Sequence, residues 1–479
     1  MPSKSQHLDK TVGTLQLFTL GFGTIIGVGW IIVLGEWLGQ AGPLGAALAF
    51  AVGGLAMILV GLCYAELAAL LPVSGGEIAY AYEAFGLKTS FAIGWFLSLS
   101  YISTTIFEAV SIGWLVAVLV PGIQGPTVYT SWGEPVRAGT LLLGLGGMLL
   151  ITILNYRGVK NAARFQDTVT YSLLGLSAVF IVAGFLGGEV GNLQPLFKNS
   201  GSGTVWGGIL AVFATAPFWF AGFDVIPTVM EERSSASSLS SMGMVLVASI
   251  GMAGLFYCLV IVSASMTMPW ENLQALELPA AKAFGSISAP LGTLVLIAGL
   301  MGIVSTWNAI FLAASRLIFA LGRARVILPA FGNIHRNFHS PTVAVVFVGV
   351  VGSIGTLLGR RAILVIVTVS GTCMAFAFFI TCLSMIRLRR IRPRQQRPYR
   401  TPGGTLTAAL AALVCLFMVF VSLNQSYKNA QGIFPLEWAI FLIWAFLGFL
   451  FWTLSGAMRR QVSEAERRKL MLGGSASLE

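Results

Sequence analysis

Residues 21–29 read Gly21-Phe22-Gly23-Thr24-Ile25-Ile26-Gly27-Val28-Gly29, four glycines inside an apolar stretch that runs from Leu15 to Leu38. A helix needs about 20 apolar residues to cross a bilayer, and this stretch supplies them. Glycine takes up non-helical backbone readily, so the four together predict a break in mid-span. An unpaired N–H or C=O in hydrocarbon is costly, and irregular backbone survives at that depth only where protein, water or a bound molecule satisfies it. The break therefore marks a binding site near the midplane.

The composition places this segment in a polytopic membrane protein. Of 479 residues, 56% are hydrophobic and 10% charged, against roughly 45–50% and 25% in soluble domains. Apolar segments of sufficient length fall at 14–39, 43–70, 90–119, 138–156, 166–187, 205–230, 240–265, 290–315, 341–358, 362–386, 405–423 and 436–455, which predicts twelve spans.

A net charge of +11 is compatible with nucleic-acid binding, but its distribution argues for topology instead. With a cytoplasmic N-terminus and alternating spans, 23 of the 29 Lys and Arg fall on the inner side; only Arg137, Lys198, Lys282, Arg360, Arg361 and Lys428 fall outside. That asymmetry predicts a bacterial inner (plasma) membrane protein with both termini cytoplasmic. The run Arg387, Arg389, Arg390, Arg392, Arg394, Arg397, Arg400 is also placed to touch anionic lipid.

No cleavable signal is expected: residues 1–13 are polar and the first apolar segment is too long for one. Cys63, Cys258, Cys373, Cys382 and Cys415 lie inside spans without metal-site spacing. His7, His335 and His339 fall in predicted cytoplasmic segments, so no intramembrane histidine relay or resident metal is expected. The end of the chain, from Gly473, reads as disordered.

A second interruption stands in the sixth span, where Ala216-Pro217-Phe218-Trp219-Phe220-Ala221-Gly222-Phe223-Asp224-Val225-Ile226-Pro227 puts two prolines, a glycine and an acid in mid-helix. Proline removes a donor and clashes with the preceding turn. Spans one and six then open two five-span halves, 14–187 and 205–386, and an odd span number inverts the second half. Paired broken helices at matching positions point to the substrate site of a secondary transporter. The predicted organisation is completed by a cytoplasmic segment 1–13, an extracellular loop 188–204, a basic cytoplasmic loop 387–404, two further helices within 405–455 and a cytoplasmic tail 456–479.

An ordered set of motifs carries a family resemblance. Gly21-x-Gly-Thr-Ile-Ile-Gly-x-Gly29, Leu71-Pro-Val-Ser-Gly-Gly-Glu-Ile-Ala-Tyr80, Phe220-Ala-Gly-Phe-Asp224 leading to Glu231-Glu232, Ser315-Arg316 with Leu328-Pro329, and Arg397-Pro-Tyr-Arg-Thr-Pro-Gly-Gly404 resemble the amino acid-polyamine-organocation superfamily over nearly the whole chain. The resemblance implies an all-α, leucine-transporter-like fold of five plus five inverted helices, with helices 1 and 6 discontinuous and two extra helices outside the repeat. It also implies a substrate carboxylate on the first break and an amine on carbonyls near Trp219, Phe220 and Ala221.

The residues support the same placement. Gly23, Thr24, Ile25, Ile26 and Gly27 would present N–H groups at the start of the outer half-helix, whose positive dipole end suits a carboxylate. The alternative for Gly21, Gly23, Gly27 and Gly29 is close helix packing. Of the aromatic residues at the second break, Phe220 and Phe223 are expected to cover the substrate, with Trp219 in reserve, and Trp30 to narrow the pocket or to pack. Two acids lie inside spans, Glu108 and Asp224, each a candidate proton carrier or partner of a cationic substrate, or else a structural brace. Asp224 resembles the place where some exchangers of the superfamily carry a proton-sensing glutamate. Glu66, Glu231 and Glu232 are candidates to pair with Arg157, Arg164 or Arg233 as gate latches.

The coupling ion stays open between proton and sodium. Some relatives place a lysine in the fifth span, a position that counting from Gln166 and Thr170 assigns to Leu173. Ser305 and Thr306 can join carbonyls near Gly23 and Ile26 as sodium ligands, or bond back to their own helix. The sequence thus predicts a carrier, not an enzyme, that needs no cofactor beyond such an ion and moves a small amino acid by alternating access. A decarboxylated amine, such as an ethanolamine-like molecule or polyamine, is the alternative substrate; a channel or structural membrane subunit is the alternative class. Beyond substrate and bilayer no partner is implied, and the oligomeric state is left open.

Overall fold

The computed structural model describes residues 13–73, 75–157, 162–199, 204–234, 238–338, 340–430 and 432–472. His7, His339, the 473–479 tail and the side chains of Arg164, Glu231 and Glu232 lie outside the described residues.

Apolar runs with few charges can satisfy their backbone in hydrocarbon only by pairing it within the segment, and helix is the result nearly throughout. In chain order these are α1 (Thr14–Ile25), α2 (Gly29–Ile32), α3 (Leu34–Leu70), α4 (Gly76–Phe85), α5 (Leu87–Leu119), α6 (Ala138–Arg157), α7 (Ala162–Gly187), α8 (Trp206–Ala214) and α9 (Ala216–Trp219). A 3-10 segment, Phe223–Glu232, leads towards α10 (Met242–Met266), α11 (Trp270–Leu273), α12 (Pro279–Ile287), α13 (Ala289–Arg323), α14 (Thr342–Thr356) and α15 (Ala362–Ile391). The chain closes with α16 (Thr405–Asn429), α17 (Leu436–Leu454), α18 (Gly456–Arg460) and α19 (Glu464–Met471).

Among the described residues, ten helices are long and apolar enough to cross a membrane. Two of the expected segments fall outside that count for local reasons. The sixth is divided among α8, α9 and the 3-10 segment, and the ninth, α14, has only 15 residues. The first and second expected spans meet at Gly42, where φ is +74° and Pro43 follows, so α3 turns sharply there. The turn is held from outside the helix, because Lys198 N donates to Ala41 O at 3.0 Å and Leu44 N to Leu196 O at 3.0 Å. Between α5 and α6 the chain forms an antiparallel hairpin, β1 (Thr127–Ser131) with β2 (Glu134–Arg137), which the sequence did not signal.

Burial separates an inner group of helices from an outer one. In their most apolar windows 67% of residues are buried in α5, α13 and α15, against 33% in α16 and 11% in α17. Leu413, Phe420, Leu442, Phe446 and Phe449 on the outer pair stay exposed, as lipid-facing side chains do. The broken elements α1, α2, α9 and the 3-10 segment lie inside; Phe22, Trp30, Trp219 and Phe223 are all buried.

The basic loop folds back onto the helix ends and finds acids there. Glu66, 1% exposed, accepts from Arg389 Nε at 2.8 Å, Arg389 Nη2 at 2.5 Å and Thr401 N at 2.8 Å, with Arg397 Nε at 3.2 Å. Its partners are therefore Arg389 and Arg397 rather than Arg157 or Arg233; Arg233 donates instead to Ser234 O. A contact 323 positions away in sequence could not be read from helix ends alone. Glu83 takes Arg392 and Arg468 in the same way, which pins α19 beneath α4. Removing one member of a buried pair strands the others, so Glu66→Ala is predicted to destabilise the protein by about 3 kcal/mol. Thermal unfolding in detergent micelles checks this, and an unchanged midpoint would contradict it.

Candidate functional site

The first helix ends where its sequence becomes glycine-rich. Ile26 leaves the helical region (φ −88°, ψ 82°), and α2 begins only at Gly29. A helix end orphans its last four carbonyls, and each of these is satisfied by a neighbour. Phe22 O accepts Ile26 N at 3.0 Å, Gly23 O accepts Ser305 Oγ at 2.8 Å and Thr24 O accepts Thr306 Oγ1 at 3.0 Å. Ile25 O accepts Gly27 N at 3.1 Å and the Tyr257 hydroxyl at 3.2 Å. The break thus sits later than expected: Thr24 and Ile25 lie inside α1, and Ile26 N is paired. The N–H groups without a backbone partner among the described residues are those of Val28, Gly29 and Trp30.

Across from it the sixth segment breaks after α9. Pro217 occupies the start of α9, and Gly222 takes φ +130°, a conformation that side chains resist. Gly222 is also in close backbone contact with the first break: a methyl group there would come within 2.7 Å of Ile25 N and 2.8 Å of Thr24 C. Trp219 O accepts the Tyr257 hydroxyl at 3.1 Å. One hydroxyl on α10 therefore bridges the two breaks, while the carbonyls of Phe220 and Ala221 have no backbone partner among the described residues.

Between the breaks lies a small cavity lined by Thr24, Ile25, Gly27, Gly29, Thr104, Phe107, Glu108, Phe218, Trp219, Ala221, Tyr257, Thr306 and Ile310. Its volume, about 20 Å³, holds a water molecule and not an amino acid. The Trp219 indole fills the space. Its ring lies against Gly29, its N–H donates to Thr215 Oγ1 at 2.8 Å, and it meets Trp37 and Phe107 edge-on at 5.0 and 6.1 Å.

Several expected residues meet here and others do not. Thr24, Ile25, Gly27, Trp219, Ala221, Glu108 and Thr306 line the cavity, whereas Gly23, Ile26, Phe220, Phe223, Asp224 and Ser305 lie off it. The turn after α9 sends Phe220 between Gly54 and Gly254 and packs Phe223 against Tyr64 and Phe378, so Trp219 and Phe218 take the covering position. Trp30 packs, stacked on Phe180 at 5.0 Å. Glu108 is 2% exposed and its Oε2 has no partner among the described residues. Its Oε1 faces the first break, within 3.0 Å of where a methyl on Gly27 would stand.

Asp224 points the other way. Its Oδ1 accepts Gly222 N at 2.7 Å and its Oδ2 accepts the Tyr101 hydroxyl at 2.8 Å, which braces the turn. In the fifth span Gln166 and Thr170, two turns and one turn before Leu173, face Gly23. Gln166 Nε2 donates to Ser305 Oγ at 2.6 Å and Thr170 Oγ1 to Thr19 O at 3.2 Å. Ser305 and Thr306 do approach the first break, but as donors to its carbonyls.

Two interrupted helices that share a buried cavity inside a bundle of apolar helices define the class: a multi-pass membrane transport protein rather than an enzyme. The chain belongs to the amino acid permease family, whose profile matches residues 12–446. It is 26% identical over 463 residues to the methylthioribose transporter of Bacillus subtilis (strain 168), and 28% over 465 residues to a branched-chain amino acid permease of the same organism; each match covers 94% of both chains. It is also 24% identical over 454 residues to the aspartate-proton symporter of that organism, covering 92% of this chain and 84% of the relative.

Two substitutions test the joint. Tyr257→Phe removes the donor that Trp219 O and Ile25 O share, leaving Ile25 O only Gly27 N, and is predicted to cost about 1–3 kcal/mol. Gly222→Ala forces a Cβ into the backbone of the first break and is predicted to be the more damaging. Melting in micelles ranks them, and equal wild-type-like midpoints would refute the bridging role.

Proposed function

We propose that the protein carries an amino acid across the plasma membrane by alternating access, binding it between the two breaks. The observation that carries this reading is the Tyr257 hydroxyl spanning Ile25 O and Trp219 O, because it joins the two breaks where Gly29, with an N–H, and Ala221, with a carbonyl, neither having a backbone partner among the described residues, line one cavity. A zwitterion matches that pattern, with its carboxylate at Val28 to Trp30 and its ammonium at Phe220 O, Ala221 O and Glu108. The apolar lining of Ile25, Phe107, Phe218, Trp219 and Ile310 suits an aliphatic side chain, in keeping with the branched-chain relative.

On this reading α1 with α2, and α8 and α9 with the 3-10 segment, are the first helices of two inverted five-helix repeats. α16 and α17 stand outside them, giving twelve spans with both termini cytoplasmic. Trp219 must swing aside to admit a substrate, since the packed arrangement leaves a cavity of only about 20 Å³. Ser305 and Thr306 are already committed to the carbonyls of Gly23 and Thr24, so we take the coupling ion to be a proton rather than sodium.

A second substrate class is favoured by one observation, the unpaired Glu108 oxygen, which would also receive a decarboxylated amine. The deciding experiment is counterflow of radiolabelled leucine in proteoliposomes, in sodium and in potassium buffers, with amino acids and the corresponding amines as competitors. Saturable counterflow inhibited by amino acids alone, and equal in both salts, is expected. Competition by amines alone would establish the second reading, and absence of saturable counterflow would overturn transport at this site. Glu108→Gln is predicted to weaken leucine binding about tenfold, the equivalent of about 1.4 kcal/mol.

A further inference from the structure

Below the cavity, on the side of the chain termini, a second polar cluster is sealed among α3, α4, α5, α15 and the 3-10 segment. Glu77, on α4, is fully buried, and neither of its carboxylate oxygens has a partner among the described residues. The hydroxyls of Tyr64, Tyr80 and Thr381 are buried around it without a well-formed hydrogen bond among the described residues, that of Tyr64 lying towards both Glu77 and Thr381. Asp224 and Tyr101 complete the group. The electrostatic neighbour of Glu77 is Asp224, and among the described residues no Lys, Arg or His acts on it. A buried carboxyl with no cation to offset it is costly when ionised, and two carboxyls close together there cannot both carry charge. Both Asp224 oxygens are held by well-formed donors, whereas those of Glu77 have only the loosely placed Tyr64 hydroxyl and its own backbone nearby, so the proton belongs on Glu77. Burial, and secondarily the Asp224 charge, pushes the Glu77 carboxyl up to about 8.

The cluster spans a joint that is built to move. α4 lies between Gly76 (φ +45°) and Gly86 (φ +85°), and nothing crowds Gly86. Its first residue faces Pro227 and Thr228, one turn beyond Asp224, while the Phe223 ring meets the Tyr64 ring at 5.4 Å. If the 3-10 segment parts from α4, water reaches Glu77 and its reason to stay neutral is lost.

We propose that Glu77, beside Asp224, is a proton-binding site that holds its proton while α4 and the 3-10 segment are packed together and releases it when they separate, so that a proton is the coupling ion. This rests on the transporter reading above. A site whose affinity differs between two states biases the equilibrium between them, which is what coupling requires.

Two readouts test it. A carboxyl raised in the folded protein keeps a proton that the unfolded chain has lost, so its contribution to stability is complete below its ordinary value of 4.5 and falls away as pH rises through about 8. The melting temperature of the wild type is therefore expected to drop as pH rises from about 4.5 to about 8 and to level off above, and that drop is expected to be absent from Glu77→Gln, which mimics the protonated form. In proteoliposomes loaded with a pH-sensitive dye, wild-type leucine uptake is expected to carry protons inward, with the protons moved per leucine falling to background in Glu77→Gln. Persistence of the melting drop in Glu77→Gln, or an unchanged ratio of protons to leucine, would overturn the proposal. Should the wild type not move leucine at all, the transport reading fails while the melting titration still decides whether Glu77 holds the proton.

Discussion

Everything in the middle of this molecule follows from the need to satisfy backbone polar groups where there is no water. Breaking α1 inside the bundle orphans four carbonyls, and the protein meets them with the hydroxyls of Ser305, Thr306 and Tyr257 and with two of its own amides. Those hydroxyls come from α13 and α10, so the break dictates which helices stand beside it and in what register. Unpaired amides remain on one side and unpaired carbonyls on the other, and a ligand of matching polarity is the natural way to complete the set.

The breaks were legible because glycine and proline act locally. Gly21 to Gly29 and Pro217 to Pro227 announce themselves in any window of sequence, and intramembrane acids such as Glu108 stand out against an apolar background. What packs against a break was not legible. Phe218, Trp219, Phe220 and Phe223 are chemically alike in sequence, and only the left-handed turn at Gly222 decides that Trp219 enters the cavity while Phe220 and Phe223 leave it. Tyr257 sits in α10 among residues of every kind with nothing to mark it, and its role depends on two carbonyls 38 and 232 positions away. Gln166 and Thr170 served in the sequence only as landmarks for counting to Leu173, and that their own side chains face Gly23 is a property of the packed state. Glu77 was visible inside a motif, but its isolation from any cation is a property of the packed state alone.

The contact of Gly222 with Thr24 and Ile25 has a mechanical side. Two segments whose backbones touch, and which share a hydroxyl, resist sliding past each other; movement is easier at the joints around them. Gly42 above and the glycines that flank α4 below supply backbone in unusual conformations at both ends of this central unit. Rigid centre and jointed periphery are the proportions expected of a carrier that exposes one site to two sides in turn.

The arginines that close the helix ends around Glu66 and Glu83 show that a charge count is not a charge supply. Of the seven in the run from Arg387 to Arg400, Arg389 and Arg397 are drawn onto Glu66, Arg392 onto Glu83, and Arg387 lies over the Phe85 ring at 5.1 Å. A nascent chain presents all seven to the membrane surface, but the folded protein has lent out most of them. Only Arg390, Arg394 and Arg400 of the run keep no such contact among the described residues, so the folded surface offers an anionic neighbour far less positive charge than the seven in sequence suggest.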